Sequence, residues 1–151
     1  MTEAFLLDTC AFREAYNRVP GVLKLVGDAP WMISTVTAWE LRRGMEKWAL
    51  DPRNTRAAAL RNLALFRLFY AEPIGLIGAD DPAWTYATEL WARAAVKKPA
   101  LVVGVEDLLI YSTARAAGLT LLTFDGRLTK LLAQLGESDF RLLPQSLKKA
   151  R

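Results

Sequence analysis

The chain of 151 residues contains no histidine. That absence excludes a Ser-His-Asp triad, a Cys-His pair, an imidazole general base and the usual zinc site. Cys10 is the only cysteine, so no internal disulfide can form, and a reducing compartment fits. No apolar run reaches the roughly 20 residues that a membrane span needs. The start, Met1-Thr2-Glu3, is acidic where a secretory signal would be basic. Repeats, low-complexity stretches and interdomain linkers are absent too. The expectation is one soluble, cytoplasmic domain over residues 1–151, long enough to bury a real core. Any hydrolytic chemistry must come from carboxylates, lysine, tyrosine or a metal held by oxygen.

Hydrophobic residues make up 52% of the chain, spread along its whole length, and the formal charge is +4. If several acids share one pocket, the remaining surface is more basic than this total implies, which suits a polyanionic partner. The apolar pattern predicts strands over Ala4–Leu7, Trp31–Ile33, Ile74–Ile77, Leu119–Thr123 and Phe140–Leu143. It predicts helices over Ala11–Val26 with an interruption at Pro20-Gly21, over Thr37–Leu50 and over Thr55–Tyr70. Two more are predicted, from Asp81-Pro82 to about Val96 and over Glu106–Ala117, the latter stopped by Gly118. Strands alternating with helices imply an α/β fold with a central parallel sheet flanked by helices. Ligands of such sheets sit beyond the carboxyl ends of the strands.

Three acids fall where that edge should be, and a fourth, Asp107, joins them only if its helix starts there after the Leu101–Val105 loop. Asp8 follows the first strand and Asp125 follows the Leu119–Thr123 strand. Glu40 lies early in the helix after the second strand, and Asp107 at the start of the helix before the Leu119 strand. Each also has an ordinary reading. Asp8 suits a helix N-cap, Glu40 completes the capping-box pattern Thr37-Ala38-Trp39-Glu40, Asp107 suits a helix start, and Asp125-Gly126 is a common turn dipeptide. Clustered carboxylates repel and call for a cation. Mg²⁺ or Mn²⁺ accepts such oxygen ligands, acidifies water and stabilises charge on phosphoryl oxygens, so a chain without histidine can still cleave phosphodiesters.

The ordered segments Phe5-Leu6-Leu7-Asp8-Thr9, Ile33-Ser34-Thr35-Val36-Thr37-Ala38-Trp39-Glu40-Leu41, Asp107-Leu108-Leu109-Ile110-Tyr111-Ser112-Thr113-Ala114 and Gly118-Leu119-Thr120-Leu121-Leu122-Thr123-Phe124-Asp125 resemble the PIN-domain superfamily, and within it the VapC-type toxins of toxin–antitoxin pairs. The resemblance covers nearly the whole chain. It implies a PIN-like three-layer fold and a Mg²⁺- or Mn²⁺-dependent endoribonuclease, usually dimeric and silenced by a cognate antitoxin. Asp8, Glu40, Asp107 and Asp125 occupy the positions of the family's acidic, metal-binding site. The family spacing selects Asp107 over its neighbour Glu106. Helical periodicity, carried back along an inward stripe of Leu109, Ile110, Thr113, Ala114 and Ala117, points nearer to Glu106, which is left as a water-mediated candidate.

Other residues keep two readings. Ser34 and Thr123 either orient ligands from behind or are plain strand-end hydroxyls. Cys10 stands where such toxins often carry Asn or Ser, and Phe124 where a polar or basic residue is common. Arg127 either supplies that charge to phosphate or is a solvated turn residue. Trp39, Trp84 and Trp91 read as core or interface, leaving Trp48 as the best base-stacking candidate. Arg42, Arg43, Lys47, Arg53 and Arg56 either track a phosphate backbone or form a solvated face. The apolar cluster Leu63, Leu65, Phe66, Leu68 and Phe69 exceeds what one helical stripe buries and suits a second subunit or the antitoxin. The competing classes are a catalytically inactive PIN-like module that binds RNA or a partner, a metal-dependent phosphatase, and a doubly wound domain with no metal.

Overall fold

The computed structural model describes residues 3–17, 19–58, 60–61, 64 and 75–148. The described strands are β1 (Phe5–Leu7), β2 (Trp31–Ser34), β3 (Gly75–Ile77), β4 (Thr120–Thr123) and β5 (Phe140–Leu142). All pairings are parallel, in the order β3-β2-β1-β4-β5. Helices α1 (Thr9–Tyr16), α2 (Pro20–Val26), α3 (Thr35–Leu50), α4 (Asp81–Ala95), α5 (Val105–Ala116) and α6 (Gly126–Gln134) surround the sheet. A 3₁₀ turn spans Gln145–Leu147. This is the α/β, three-layer arrangement expected.

The alternation of side chains along a strand divides the interior into two layers. Leu6 and Leu121 face α4, α5 and α6, where they pack with Leu90, Leu108, Ile110 and Leu132. Phe5, Leu7, Ile33 and Leu122 face the other way, onto Phe12 and Ala15 of α1, Val22 and Val26 of α2, and Ala38 of α3. β1 is buried at every position because it is covered on both faces and paired on both edges. The outer strands β3 and β5 are mostly exposed.

Several boundaries differ from the sequence expectation. Pro20 opens α2 rather than merely interrupting one long helix, since its fixed φ suits the first helical position. α3 begins two residues earlier than Thr37, because Ser34 is its N-cap and accepts the backbone N–H of Thr37 at 3.0 Å. Thr37 therefore lies inside the helix, and the capping-box reading of Glu40 is wrong. α5 buries every residue from Leu108 to Ala114, wider than one stripe, and Ala117 is exposed past its end. Helix α6 was not anticipated. Its stripe of Leu128, Leu131, Leu132 and Leu135 has helical spacing, and Asp125 caps it.

Within the predicted helix Thr55–Tyr70, residues 56–58, 60, 61 and 64 are helical. The cluster Leu63, Leu65, Phe66, Leu68 and Phe69, and Ile74, lie outside the described residues. Among the described residues, no helix is long and apolar enough to cross a membrane.

Candidate metal centre

Parallel pairing carries β1 and β4 to the same edge, and the next residues build the site there. Asp8 leaves β1 and caps α1: its Oδ1 accepts the backbone N–H of Ala11 at 2.7 Å. Asp125 follows Phe124 beyond β4 and caps α6, its Oδ1 accepting from the backbone N–H groups of Arg127 at 2.8 Å and Leu128 at 3.1 Å. The capping reading of Asp8 is therefore correct, Asp125 is a helix cap rather than the turn residue expected, and neither cap competes with a site. A cap fixes one carboxylate oxygen and leaves lone pairs free on the group.

Buried Thr123 links the two acids. Its hydroxyl donates to Asp8 Oδ2 and accepts the backbone N–H of Asp125 at 2.9 Å. Of the two strand-end hydroxyls, Thr123 orients an acid, whereas Ser34 is spent on capping α3 and on the Thr37 hydroxyl at 3.1 Å. Glu40 projects from the second turn of α3 and accepts a hydrogen bond from the Thr9 hydroxyl at the start of α1. Asp107 sits in the first turn of α5, which starts at Val105 with Gly104 as N-cap. A Cβ at Gly104 would lie 3.1 Å from Asp107 Oδ2, so glycine leaves that carboxylate its room.

One cavity of about 600 Å³ is lined by Asp8, Glu40, Asp107 and Asp125 together. Thr9, Cys10, Ile110, Arg127 and Lys148 complete much of its wall. Glu106 is not among the lining residues; it acts on Asp107 only as the weakest of the charges that disturb it. The family register, not the backward-extended stripe, thus selects the residue that faces the pocket.

Two of the four acids, Asp107 and Asp8, are raised above their ordinary range. Burial is the main force raising the Asp107 carboxyl from 3.8 to about 6, and the charges of Asp125, Glu40, Asp8 and Glu106 add to it. Asp8 is raised as well, chiefly by burial, although hydrogen bonds from Ala11 and Thr123 pull the other way. Among the described residues, no three such groups stand close enough to enclose a metal ion as they are oriented. The donor set nonetheless fits a hard divalent cation: it is all oxygen, mutually repulsive and solvent-accessible, and Mg²⁺ completes such shells with water.

Thr9 and Lys148 were given no role from sequence. Thr9 carries the ordinary signal of a hydroxyl beside a key acid. Lys148 carries none, because only the tertiary fold brings it across from the 3₁₀ turn. Cys10 contacts Arg13, with 3.6 Å between Sγ and the guanidinium nitrogen. Phe124 is buried and serves packing. Trp39, Trp84 and Trp91 are 49%, 51% and 55% exposed, which overturns the core half of their core-or-interface reading and not the interface half. Arg43 lies over the Trp39 ring at 4.2 Å, and Arg53 is committed to Asp51. Neither is an uncommitted phosphate contact.

A parallel sheet with acids gathered at its carboxyl edge defines the class, and a PIN-domain family model matches residues 5–132. The chain belongs to the PIN-domain family. Its fold is similar to that of chains in several toxin–antitoxin crystal structures. One is VapBC2 from Rickettsia felis bound to a DNA fragment from their promoter, with TM-score 0.63, 23% identity, and coverage of 93% of this chain and 97% of that one. A second is DNA-bound VapBC from Salmonella typhimurium, with TM-score 0.63, 26% identity, and coverage of 85% and 92%. A third is VapBC-5 from Mycobacterium tuberculosis, with TM-score 0.62, 23% identity, and coverage of 93% and 97%. No curated protein matches the sequence.

Proposed function

We propose that this chain is a Mg²⁺- or Mn²⁺-dependent endoribonuclease, acting as the toxin of a VapBC-type toxin–antitoxin pair. The observation that carries this reading is the meeting of Asp8, Glu40, Asp107 and Asp125 in one cavity of a PIN-family chain. Those four carboxylates are the metal ligands in this proposal. When bound, a divalent cation supplies positive charge to phosphoryl oxygens and acidifies water.

The chain's own residues prepare the place. Thr123 holds Asp8 and the Asp125 backbone in one arrangement, and Thr9 steadies Glu40. Asp107, raised chiefly by burial and further by its charged neighbours, gains from a compensating cation. Arg127 and Lys148 place positive charge on the pocket wall, where a phosphate backbone can meet it. The likeness to VapBC chains supports a cognate antitoxin as partner. A homodimer, a single nuclease domain over residues 1–151 and a cytoplasmic location belong to the same proposal.

The test is incubation of purified protein with end-labelled RNA and Mn²⁺, beside the Asp125→Asn variant and a chromogenic phosphomonoester. Internal cleavage of RNA by the wild type alone is expected. RNA binding without cleavage would support the inactive module instead, and hydrolysis of the phosphomonoester alone a phosphatase.

A further inference from the structure

Lys148 lines two cavities at once. One is the acidic pocket; the other, of about 480 Å³, is walled by Asn17, Val19, Pro20, Ser146 and Leu147 with Lys148. We propose that Lys148 and this second cavity form a binding site for the single-stranded RNA that flanks the scissile phosphate. Lys148 would contact a backbone phosphate, and the cavity would receive a nucleotide beyond it. The proposal rests on the ribonuclease reading and adds to it a path for the substrate.

The segment that carries Lys148 is fixed rather than loose. Leu143 is buried, and its backbone N–H donates to the Thr123 carbonyl at 2.7 Å. Gln145 Nε2 donates to the Phe124 carbonyl at 2.7 Å. Leu147 fits against Gly21 so closely that a Cβ there would displace its Cδ2. Lys148 Nζ lies 5.2 Å from the centre of the Phe124 ring. The segment after β5 is thus strapped back across Thr123 and Phe124, and its cation ends at the pocket wall.

The charge pattern needs an explanation. Four carboxylates line the pocket, yet among the described residues Lys148 forms no ion pair with any of them. A cation beside acids that it does not neutralise is placed for an anion from outside. A phosphodiester backbone is such an anion, and its next unit has to go somewhere. The second cavity offers an amide at Asn17, a hydroxyl at Ser146 and apolar walls from Val19, Pro20 and Leu147, a mixture suited to a base and its sugar. Asn17 caps the far end of α1, and Asp8 caps its near end. Nine helical rises separate them by about 13 Å, so the two cavities lie at the two ends of one short helix.

Steady-state cleavage of a labelled single-stranded oligonucleotide with Mn²⁺ tests this in wild type, Lys148→Gln, Lys148→Arg and Ser146→Glu. Lys148→Gln should raise KM about tenfold, the scale of one charge-assisted hydrogen bond, with kcat and melting temperature little changed. The slope of log(1/KM) against log salt should fall in magnitude by about 0.7, one single-strand phosphate contact. Lys148→Arg should restore both. Ser146→Glu should raise KM for the oligonucleotide but not for a dinucleotide too short to reach the second cavity. Unchanged KM and salt slope in Lys148→Gln, or a loss confined to kcat, overturns the proposal and leaves the ribonuclease reading standing. Equal sensitivity of long and short substrates to Ser146→Glu removes the second cavity from the path. A wild type that does not cleave RNA with Mn²⁺ overturns the ribonuclease reading and this proposal with it.

Discussion

Asp107→Asn should stabilise the metal-free protein, and the gain should depend on pH. The Asp107 carboxyl moves from 3.8 to about 6, which corresponds to about 3 kcal/mol against the ionised fold before screening. The pocket is open to water, and screening reduces this to about 1 kcal/mol. The first turn of α5 favours a negative charge by about 0.5 kcal/mol, which offsets part of the gain. Because the folded pKa lies above the unfolded one, the contribution of Asp107 to stability is fully present at low pH and is lost as pH rises from about 4 to about 6. Asparagine cannot ionise, so its advantage is absent at pH 4 and complete above pH 7. The net difference, roughly 0.5–1 kcal/mol, raises the melting temperature of a chain this size by about 2 °C. Thermal melts in chelator at several pH values measure it. A variant less stable than wild type at pH 8, or a gain equally large at pH 4, would refute the carboxylate-repulsion argument and leave Asp107 a plain helix-start acid.

The other predictions concern single groups. Asp8→Asn and Asp125→Asn should each lower RNA cleavage by about a hundredfold or more. Both should fold normally, because asparagine caps helices as well as aspartate does; Asp8→Ala should cost about 1 kcal/mol besides. Glu106→Gln should lower cleavage by less than about tenfold, while Asp107→Asn abolishes it; a reversed order in the same assay would make Glu106 the ligand. Glu137 lies far from this chemistry and holds Arg93 at 3.1 Å, Arg115 at 2.7 Å and the Tyr111 hydroxyl at 2.8 Å, with its own side chain nearly buried. Glu137→Gln should cost about 2 kcal/mol in denaturant melts and leave cleavage per folded molecule unchanged.

What the sequence discloses follows from how local each signal is. Asp8 and Asp125 are legible because each directly follows an apolar strand, and parallel pairing sends such residues to one edge. Glu40 needs the start of α3, and the local pattern misleads there: Thr37 resembles a cap, but Ser34 takes that role once β2 runs one residue longer. Asp107 needs the tertiary arrangement, since its helix precedes its strand and periodicity alone prefers Glu106. Helix α6 has a plain leucine stripe and was hidden only by reading Asp125-Gly126 as a turn, when the aspartate is a cap. Lys148 is illegible, because hydrogen bonds and packing distant in sequence set its position. Trp84 and Trp91 show the limit of composition: large apolar residues in an amphipathic helix need not face the core, and these two do not.

Metal dependence of RNA cleavage tests the central claim most directly. Labelled RNA would be incubated with wild-type protein in excess chelator, then with Mn²⁺ restored, and the internal cleavage products quantified. Four carboxylates that need a cation predict no cleavage in chelator and full recovery on adding Mn²⁺. Cleavage that persists undiminished in chelator would contradict the account.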